Sequence, residues 1–360
     1  VSLAVSGSAT ALNARQIAIL DASVAAVLPR LDLSGLAGQR LFLTGGTGFF
    51  GLWLLSTLRA LHAAGQTVHC CVLSRDPAGF LARHPQFREQ PWLSFVAGNV
   101  RDFELPRQPF DLLLHAATET SMAVHAQPAR MLDDIVLGTR QVIALAQQSG
   151  VKRMLLVSSG AVYGAQPPTL RHQPDDSALA CNPLLPGSAY GEGKRVMELL
   201  GAIAQQAHGI ASVMARCYAF SGPGLPLDGH FAIGNFVRDA LQADQIRVQG
   251  DGRPMRSYLY GADLALWLFK LLLDGQAGQS YNVGSDEDLS IHELALRVRD
   301  VLSPGKPVVV MQPTATDEDA PRARYVPAIA RARALGCAPW TPLDEALRQS
   351  AAYWSAASAG

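Results

Sequence analysis

Apolar positions recur at helical spacing between residues 11 and 30 (Leu12, Ile17, Ile19, Leu20, Val24, Val27, Leu28) and stop at Pro29, which predicts an accessory helix ahead of the main fold. A different rhythm then begins. Arg40 to Thr44 reads as a short buried strand, residues 49 to 64 as a helix ended by Gly65, and Thr67 to Leu73 as a second strand. Further strands are expected near Leu93 to Ala97, Leu112 to His115 and Met154 to Ser158, with a long helix at about 127 to 149. Strands that are apolar almost throughout, alternating with helices, are those of a parallel sheet covered on both faces. Residues 165 to 188, rich in Pro and polar side chains, read as a loop across the top of that sheet, succeeded by a helix at 189 to 207 and a strand at 211 to 216. Beyond Gly222 the elements shorten. The pattern divides the chain into an N-terminal helical extension (1–39), an α/β domain (40–220) and a smaller α/β lobe (221–360).

Composition narrows the partners. The 360 residues are 49% hydrophobic and carry no formal net charge, so neither nucleic acid nor an anionic membrane surface is an expected partner. The short acidic run from Asp317 to Asp319 reads as a solvated loop. No apolar run approaches the roughly 20 residues of a spanning helix. The five cysteines show no CxxC pair and no metal-ligand spacing, which fits free thiols in a reducing cytoplasm and no metal site. Cys70 and Cys71 are neighbours in a strand and are expected to face opposite sides of the sheet.

The first candidate for chemistry is Thr44-Gly45-Gly46-Thr47-Gly48-Phe49-Phe50-Gly51, lying between a strand and a helix. Its glycines at 45, 48 and 51 allow a tight turn, close backbone approach to phosphate, and packing of the helix on the sheet. The helix N-terminus offers unpaired N–H groups to a dinucleotide's pyrophosphate. After the second strand, Ser74-Arg75-Asp76 faces the ribose. Arg75 with the Ser74 hydroxyl favours the 2′-phosphate of NADP, whereas Asp76 would accept from the 2′-hydroxyl of NAD. Gly98-Asn99-Val100 comes after the third strand, where its loop reaches the adenine.

The second candidate is Tyr190-Gly-Glu-Gly-Lys194. A free phenol ionises near pH ~10, too high for a base at neutrality. A cationic Lys194 four residues on shares its helical face and is expected to favour the phenolate. Ser158 and Ser159 close the fifth strand, where a hydroxyl can bond the substrate oxygen whose proton moves.

These motifs, with His115-Ala116-Ala117, Ser158-Ser-Gly-Ala-Val-Tyr-Gly164, Gly250-Asp-Gly-Arg-Pro-Met-Arg-Ser-Tyr258 and Tyr281-Asn-Val-Gly284, resemble the nucleotide-sugar epimerase/dehydratase family of extended short-chain dehydrogenases/reductases. The likeness runs from about Arg40 to the C-terminus. It implies a doubly wound parallel Rossmann sheet that binds NAD(P), a lobe gripping a nucleoside-diphosphate sugar, and a homodimer. It makes Ser159, Tyr190 and Lys194 the catalytic trio and gives the cofactor Gly45, Thr47, Gly48, Phe49, Phe50, Gly51, Ser74, Arg75, Asn99, Val100, Ala116 and Ala117 besides Tyr190 and Lys194. Substrate contacts fall to Ser158, Glu119, His230, Asn235 and Arg256, the last on the diphosphate, which its planar fork matches.

Family members share oxidation at the sugar C4 and diverge in the two residues after the Ser. Members similar to the 4,6-dehydratases place Asp-Glu there, the uronic-acid decarboxylases a Glu at the second position, and the 3,5-epimerising reductases a Cys. Here Gly160 and Ala161 hold those places, and neither carries a proton. The resemblance therefore favours an NDP-sugar 4-epimerase, with an NADPH-dependent 4-keto-sugar reductase as the alternative. A 4,6-dehydratase taking its acid and base from Glu119 or His125 is a further one. A non-catalytic dinucleotide-binding scaffold would not need Tyr190 and Lys194. Two positions depart from the family's pattern: Ala219 and Ile135 stand where Asn is common.

Overall fold

The computed structural model describes residues 10–119, 124, 126–229, 231–311 and 324–357. Helix α1 (Ala14–Val27) starts at a reciprocal cap: the Asn13 side chain accepts from the Gln16 N–H while the Gln16 side chain accepts from the Asn13 N–H. The doubly wound unit then runs β1 (Arg40–Thr44), α2 (Phe49–Ala63), β2 (His69–Ser74), α3 (Pro77–Arg83), β3 (Leu93–Ala97), β4 (Leu112–His115), α4 (Pro128–Gln148), β5 (Arg153–Ser159), α5 (Ala189–His208) and β6 (Ala211–Cys217). Each expected element of this stretch is present to within a few residues.

Beyond it come β7 (Phe220–Ser221), α6 (Ala232–Gln242), β8 (Ile246–Val248), β9 (Met255–Arg256), β10 (Leu259–Tyr260) and α7 (Gly261–Asp274). The chain ends with β11 (Ser280–Val283), β12 (Leu289–Ser290), α8 (Ile291–Leu302), β13 (Val308–Val310), β14 (Arg324–Tyr325), α9 (Ala330–Arg333) and α10 (Leu343–Ala357).

The main sheet has seven strands in the order β11-β6-β5-β4-β1-β2-β3, every pair parallel. Strand order reverses between β1 and β4, and the crevice beyond the strand ends there is where doubly wound folds take ligands. The seventh strand, β11, lies well past residue 220. The division expected there does not follow the sheet, because α7 and β11 return to cover and extend it.

Helices lie on both faces, so the inner strands are buried on both sides. One core packs α1, α2 and α7 against Leu41, Leu43, Leu114, Leu155 and Val213. The other packs α4 and α5 against Phe42, Leu113, Met154 and Leu156. Cys70 belongs to the first core and Cys71 to the second, as alternation along a strand requires. Helix α2 is apolar nearly all round because it is enclosed: Gly51 through Leu58 are all buried. A third core, with Ile233, Phe236, Val248, Leu294 and Val298, supports the C-terminal lobe.

Among the described residues no helix is long and apolar enough to cross a membrane. Nor does any group of three His, Cys, Asp or Glu side chains there stand ready to hold a metal ion. The expected His230 contact, the alternative His125 and the acidic run 317–319 lie outside the described residues.

Candidate active site

The glycine loop caps β1 at the switch point. Gly45 has φ 74°, and a Cβ there would come within 2.6 Å of the Ala116 backbone, so the turn is drawn tightly against the end of β4. A Cβ on Gly51 would lie 2.1 Å from the Gly46 carbonyl carbon; its absence lets α2 start directly over the loop. Gly48 is the N-cap of α2 and supplies no side-chain cap. The first N–H groups of a fifteen-residue helix therefore stay available to an anion, and a Cβ on Gly48 would meet only the Gly45 carbonyl oxygen, at 3.8 Å. Phe49 and Phe50 turn their rings back onto the protein, Phe50 edge-on to Phe220 at 5.0 Å. These residues fit a dinucleotide's pyrophosphate.

Behind the loop is a polar chain that sequence reasoning missed. Thr44 Oγ1 accepts the Ala117 N–H at 3.1 Å and lies 2.7 Å from His115 Nδ1. Thr139 Oγ1 gives its own proton to Ile135 O at 2.7 Å, so it can only accept from His115 Nε2–H, 3.4 Å away, and Nδ1 then accepts the Thr44 hydroxyl proton. His115 is fully enclosed, and burial with the nearby Lys194 brings its pKa down to about 3, so it stays neutral. The chain fixes Ala116 and Ala117 against Gly45. The only sequence sign was an isolated His within an apolar strand.

At the ribose end, Ser74 Oγ accepts the Asp76 N–H at 3.1 Å, and Asp76 Oδ1 accepts the Gly79 N–H at 2.8 Å as the cap of α3. Asp76 is thereby engaged in starting a helix. Arg75, by contrast, is exposed, and its Nη1 lies 3.1 Å from Glu119 Oε2. Two residues assigned separate roles, one to cofactor and one to substrate, are thus an ion pair. Asn99 Oδ1 accepts the Arg101 N–H, and Val100 packs on Gly138 of α4.

The catalytic candidates converge where β5 meets α5. Ser159 Oγ accepts the Ala161 N–H at 3.1 Å, and its hydroxyl favours the ionised form of the nearby Tyr190. Lys194 projects from the same helical face as Tyr190, with Nζ 5.9 Å from the ring centroid. Its ammonium donates to Val157 O at 2.7 Å and Thr118 Oγ1 at 2.8 Å. Burial lowers the Lys194 pKa from 10.5 to about 7, with Cys217 and Glu198 opposing. The phenol behaves differently from the sequence-based expectation. Burial, with the neighbouring Tyr325, raises the Tyr190 pKa above its usual value despite Ser159. Tyr190 therefore holds its proton at neutral pH, because desolvation outweighs a cation whose donors point elsewhere.

The other expected contacts are distributed less simply. Ser158 is buried and donates to Glu198 Oε1 at 2.5 Å. Glu198 receives a two-pronged bond from Arg216, whose Nη1 continues to Tyr163 Oη at 2.7 Å. Ser158 therefore belongs to an ion-pair network behind the site. Asn235 donates to Gly229 O and accepts from Arg238, steadying the start of α6. Arg256 on β9 bonds its neighbour's carbonyl, Met255 O, and lies 6.0 Å from the Tyr325 ring. Gly160 is required sterically: a Cβ there would meet the Tyr218 ring at 2.6 Å. Tyr325, which the sequence did not single out, enters from the C-terminal lobe to within 3.2 Å of Ser159 Oγ.

A strand–glycine turn–helix unit at the switch point of a parallel sheet, with a phenol, a serine and an enclosed lysine at the neighbouring strand end, defines a dinucleotide-binding enzyme. Residues 41–284 match the model of the NAD dependent epimerase/dehydratase family. The chain belongs to that family. Among curated relatives it is 29% identical to UDP-glucuronic acid decarboxylase 5 of Arabidopsis thaliana, over 86% of this chain and 88% of that one. It is 30% identical to UDP-glucuronic acid decarboxylase 1 of Danio rerio, over 68% of this chain and 57% of that one. The fold matches a UDP-glucose 4-epimerase from Thermotoga maritima, solved with UDP-glucose, at a TM-score of 0.73 and 20% identity, covering 88% of this chain and 98% of that one. It also matches a dTDP-glucose 4,6-dehydratase from Streptomyces venezuelae, solved with NAD, at 0.73 and 24%, covering 88% and 97%.

Proposed function

We propose that the enzyme acts on a nucleoside-diphosphate sugar at C4, as an NDP-sugar 4-epimerase. The observation carrying this reading is that Ser159, Tyr190 and Lys194 converge at one strand end, while the positions beside Ser159 hold a ring-packed Gly160 and a buried Ala161. Proton transfer at a single alcohol is what such a set supports; a second, carboxylate-driven step has no group at those two positions.

The nicotinamide, when bound in its oxidised form, would supply a hydride acceptor. Ser159 hydrogen-bonds the C4 oxygen and holds it toward Tyr190. Tyr190 takes the hydroxyl proton as the C4 alcohol becomes a ketone, and gives it back when the alcohol is re-formed with the opposite configuration. Lys194 is held by Val157 O and Thr118 against the cofactor side of the site. Arg256 pairs with the diphosphate, with His230 and Asn235 in the segment lining the nucleotide.

The exposed Arg75, beside an Asp76 committed to helix capping, supports NADP over NAD. A homodimer is supported by exposed apolar side chains on two adjacent helices: Leu132 and Leu137 on α4, Leu199 and Ile203 on α5.

The names of the curated relatives favour a second reading, decarboxylation of UDP-glucuronic acid, against which Ala161 stands. Incubation of the NADP- or NAD-loaded protein with UDP-glucose, UDP-galactose and UDP-glucuronic acid, monitored by proton NMR, separates the two. Inversion at C4 with no loss of carbon supports the epimerase. Carbon dioxide and a pentose product from UDP-glucuronic acid would replace it with the decarboxylase; in a separate incubation with NADPH and a 4-keto sugar nucleotide, net consumption of NADPH would replace it with the reductase.

A further inference from the structure

Tyr325 is delivered to the site by a short, well-anchored strand. β14 pairs in parallel with β9, setting Tyr325 beside Arg256 and Arg324 beside Met255. Arg324 Nη1 binds Asp288 Oδ2 at 2.6 Å, and the next backbone N–H, that of Val326, is given to Gln166 Oε1 at 3.0 Å. The Tyr325 ring packs on Tyr218 with centroids 4.5 Å apart, and Tyr218 in turn covers Gly160. The phenol therefore has little freedom, and its oxygen rests 3.2 Å from Ser159 Oγ.

Counting protons around Ser159 gives this contact a direction. A serine hydroxyl has one proton to donate and two lone pairs to fill. One lone pair takes the Ala161 N–H at 3.1 Å. The Tyr325 hydroxyl has one proton of its own, and Cys217 O, a carbonyl that can only accept, is more distant than Ser159 Oγ, at 3.4 Å. If Tyr325 donates to Ser159, the serine's second lone pair is filled and its proton is left for Tyr190 or the substrate oxygen. Without that donor the serine proton is no longer held to one direction.

We propose that Tyr325 is a positioning residue of the catalytic centre: its hydroxyl fixes the direction of the Ser159 proton toward Tyr190 and the substrate oxygen. The inference rests on the reading of Tyr190 as the proton-transfer group. It also ties the diphosphate end to the chemistry, since Arg256 and Tyr325 are partners in one strand pair.

The test is Tyr325→Phe, which keeps the stacked ring and removes only the hydroxyl. Loss of one orienting hydrogen bond is expected to lower kcat about tenfold. KM for the sugar nucleotide stays nearly unchanged, which a loosened lobe would not produce. In a double-variant cycle, Ser159→Ala with Tyr325→Phe is expected to be no slower than Ser159→Ala alone, because the hydroxyl acts only through the serine. A wild-type kcat in Tyr325→Phe, or losses that multiply in the double variant, would overturn the proposal. If Tyr190→Phe is inactive in those same preparations, only the role of Tyr325 falls; if Tyr190→Phe is active, the functional reading falls with it.

Discussion

The glycine loop stands between a five-residue strand and a fifteen-residue helix, whereas Arg256 and Tyr325 ride on paired strands of two residues each. At the cofactor end, geometry is set by neighbours in sequence: strand, turn and helix start succeed one another within a dozen residues. At the sugar end it is set by distant pairings. Ser159 and Tyr325 are 166 residues apart, and β14 pairs with a strand far back in the chain, β9. The first end is rigid because regular elements enclose it on both faces. The second depends on ion pairs such as Arg324–Asp288 to hold very short strands in register. A site built this way can keep one cofactor cradle while the lobe varies what it grips.

The largest effect should come from the network beneath the junction of the two ends. Glu198→Ala leaves the largely buried Arg216 uncompensated and is expected to cost about 3–5 kcal/mol. Chemical denaturation would measure it; a loss below about 1 kcal/mol, typical of exposed pairs, would show that water reaches the junction and screens it.

Next is a paired test of separability. Gly51→Ala forces a methyl onto the Gly46 backbone and is expected to cost about 1–3 kcal/mol and to weaken dinucleotide binding. Arg256→Ala should instead weaken sugar-nucleotide binding by roughly 10- to 100-fold, the scale of a charge-assisted hydrogen bond, and leave dinucleotide affinity unchanged. Calorimetric titration with each ligand would blur the distinction between the ends if either variant disturbed both.

A smaller effect concerns Lys194. Unfolded, it holds its proton to about pH 10.5, and folded it releases it near pH 7 because it is buried. Between those values the unfolded chain binds more protons, so this group makes the protein more stable as pH rises through the window. Thermal melts of wild type and Lys194→Met should differ most in the variant's favour below pH 7, and that advantage should shrink toward pH 10. A difference independent of pH would contradict the enclosed lysine. Smallest is Arg75→Ala, expected to reduce preference for NADP over NAD about tenfold, as loss of one phosphate-facing guanidinium would. Unchanged preference would place Arg75 with Glu119 alone.

The same contrast explains what could be read from the chain directly. The strands and helices of the sheet are encoded by local periodicity, and the glycine turn and the Tyr190–Lys194 face by short local spacings, which is why they were legible. The i+4 spacing placed Lys194 beside Tyr190 but could not show that its donors go to Val157 O and Thr118. The phenol's raised pKa was therefore not foreseen. Nor could spacing reveal that Ser158 bonds Glu198, that Arg75 faces Glu119, or that β11 rejoins the main sheet. Each depends on residues brought together only by the tertiary fold. Tyr325 carries no motif of its own.

Proton transfer by Tyr190 is the step on which the proposed chemistry turns. Its most direct test is the rate of sugar-driven cofactor reduction in Tyr190→Phe, read from nicotinamide absorbance in protein already shown to bind the dinucleotide. The expected result is a fall of about 10²- to 10⁴-fold with cofactor affinity intact; a rate near that of the wild type would contradict it.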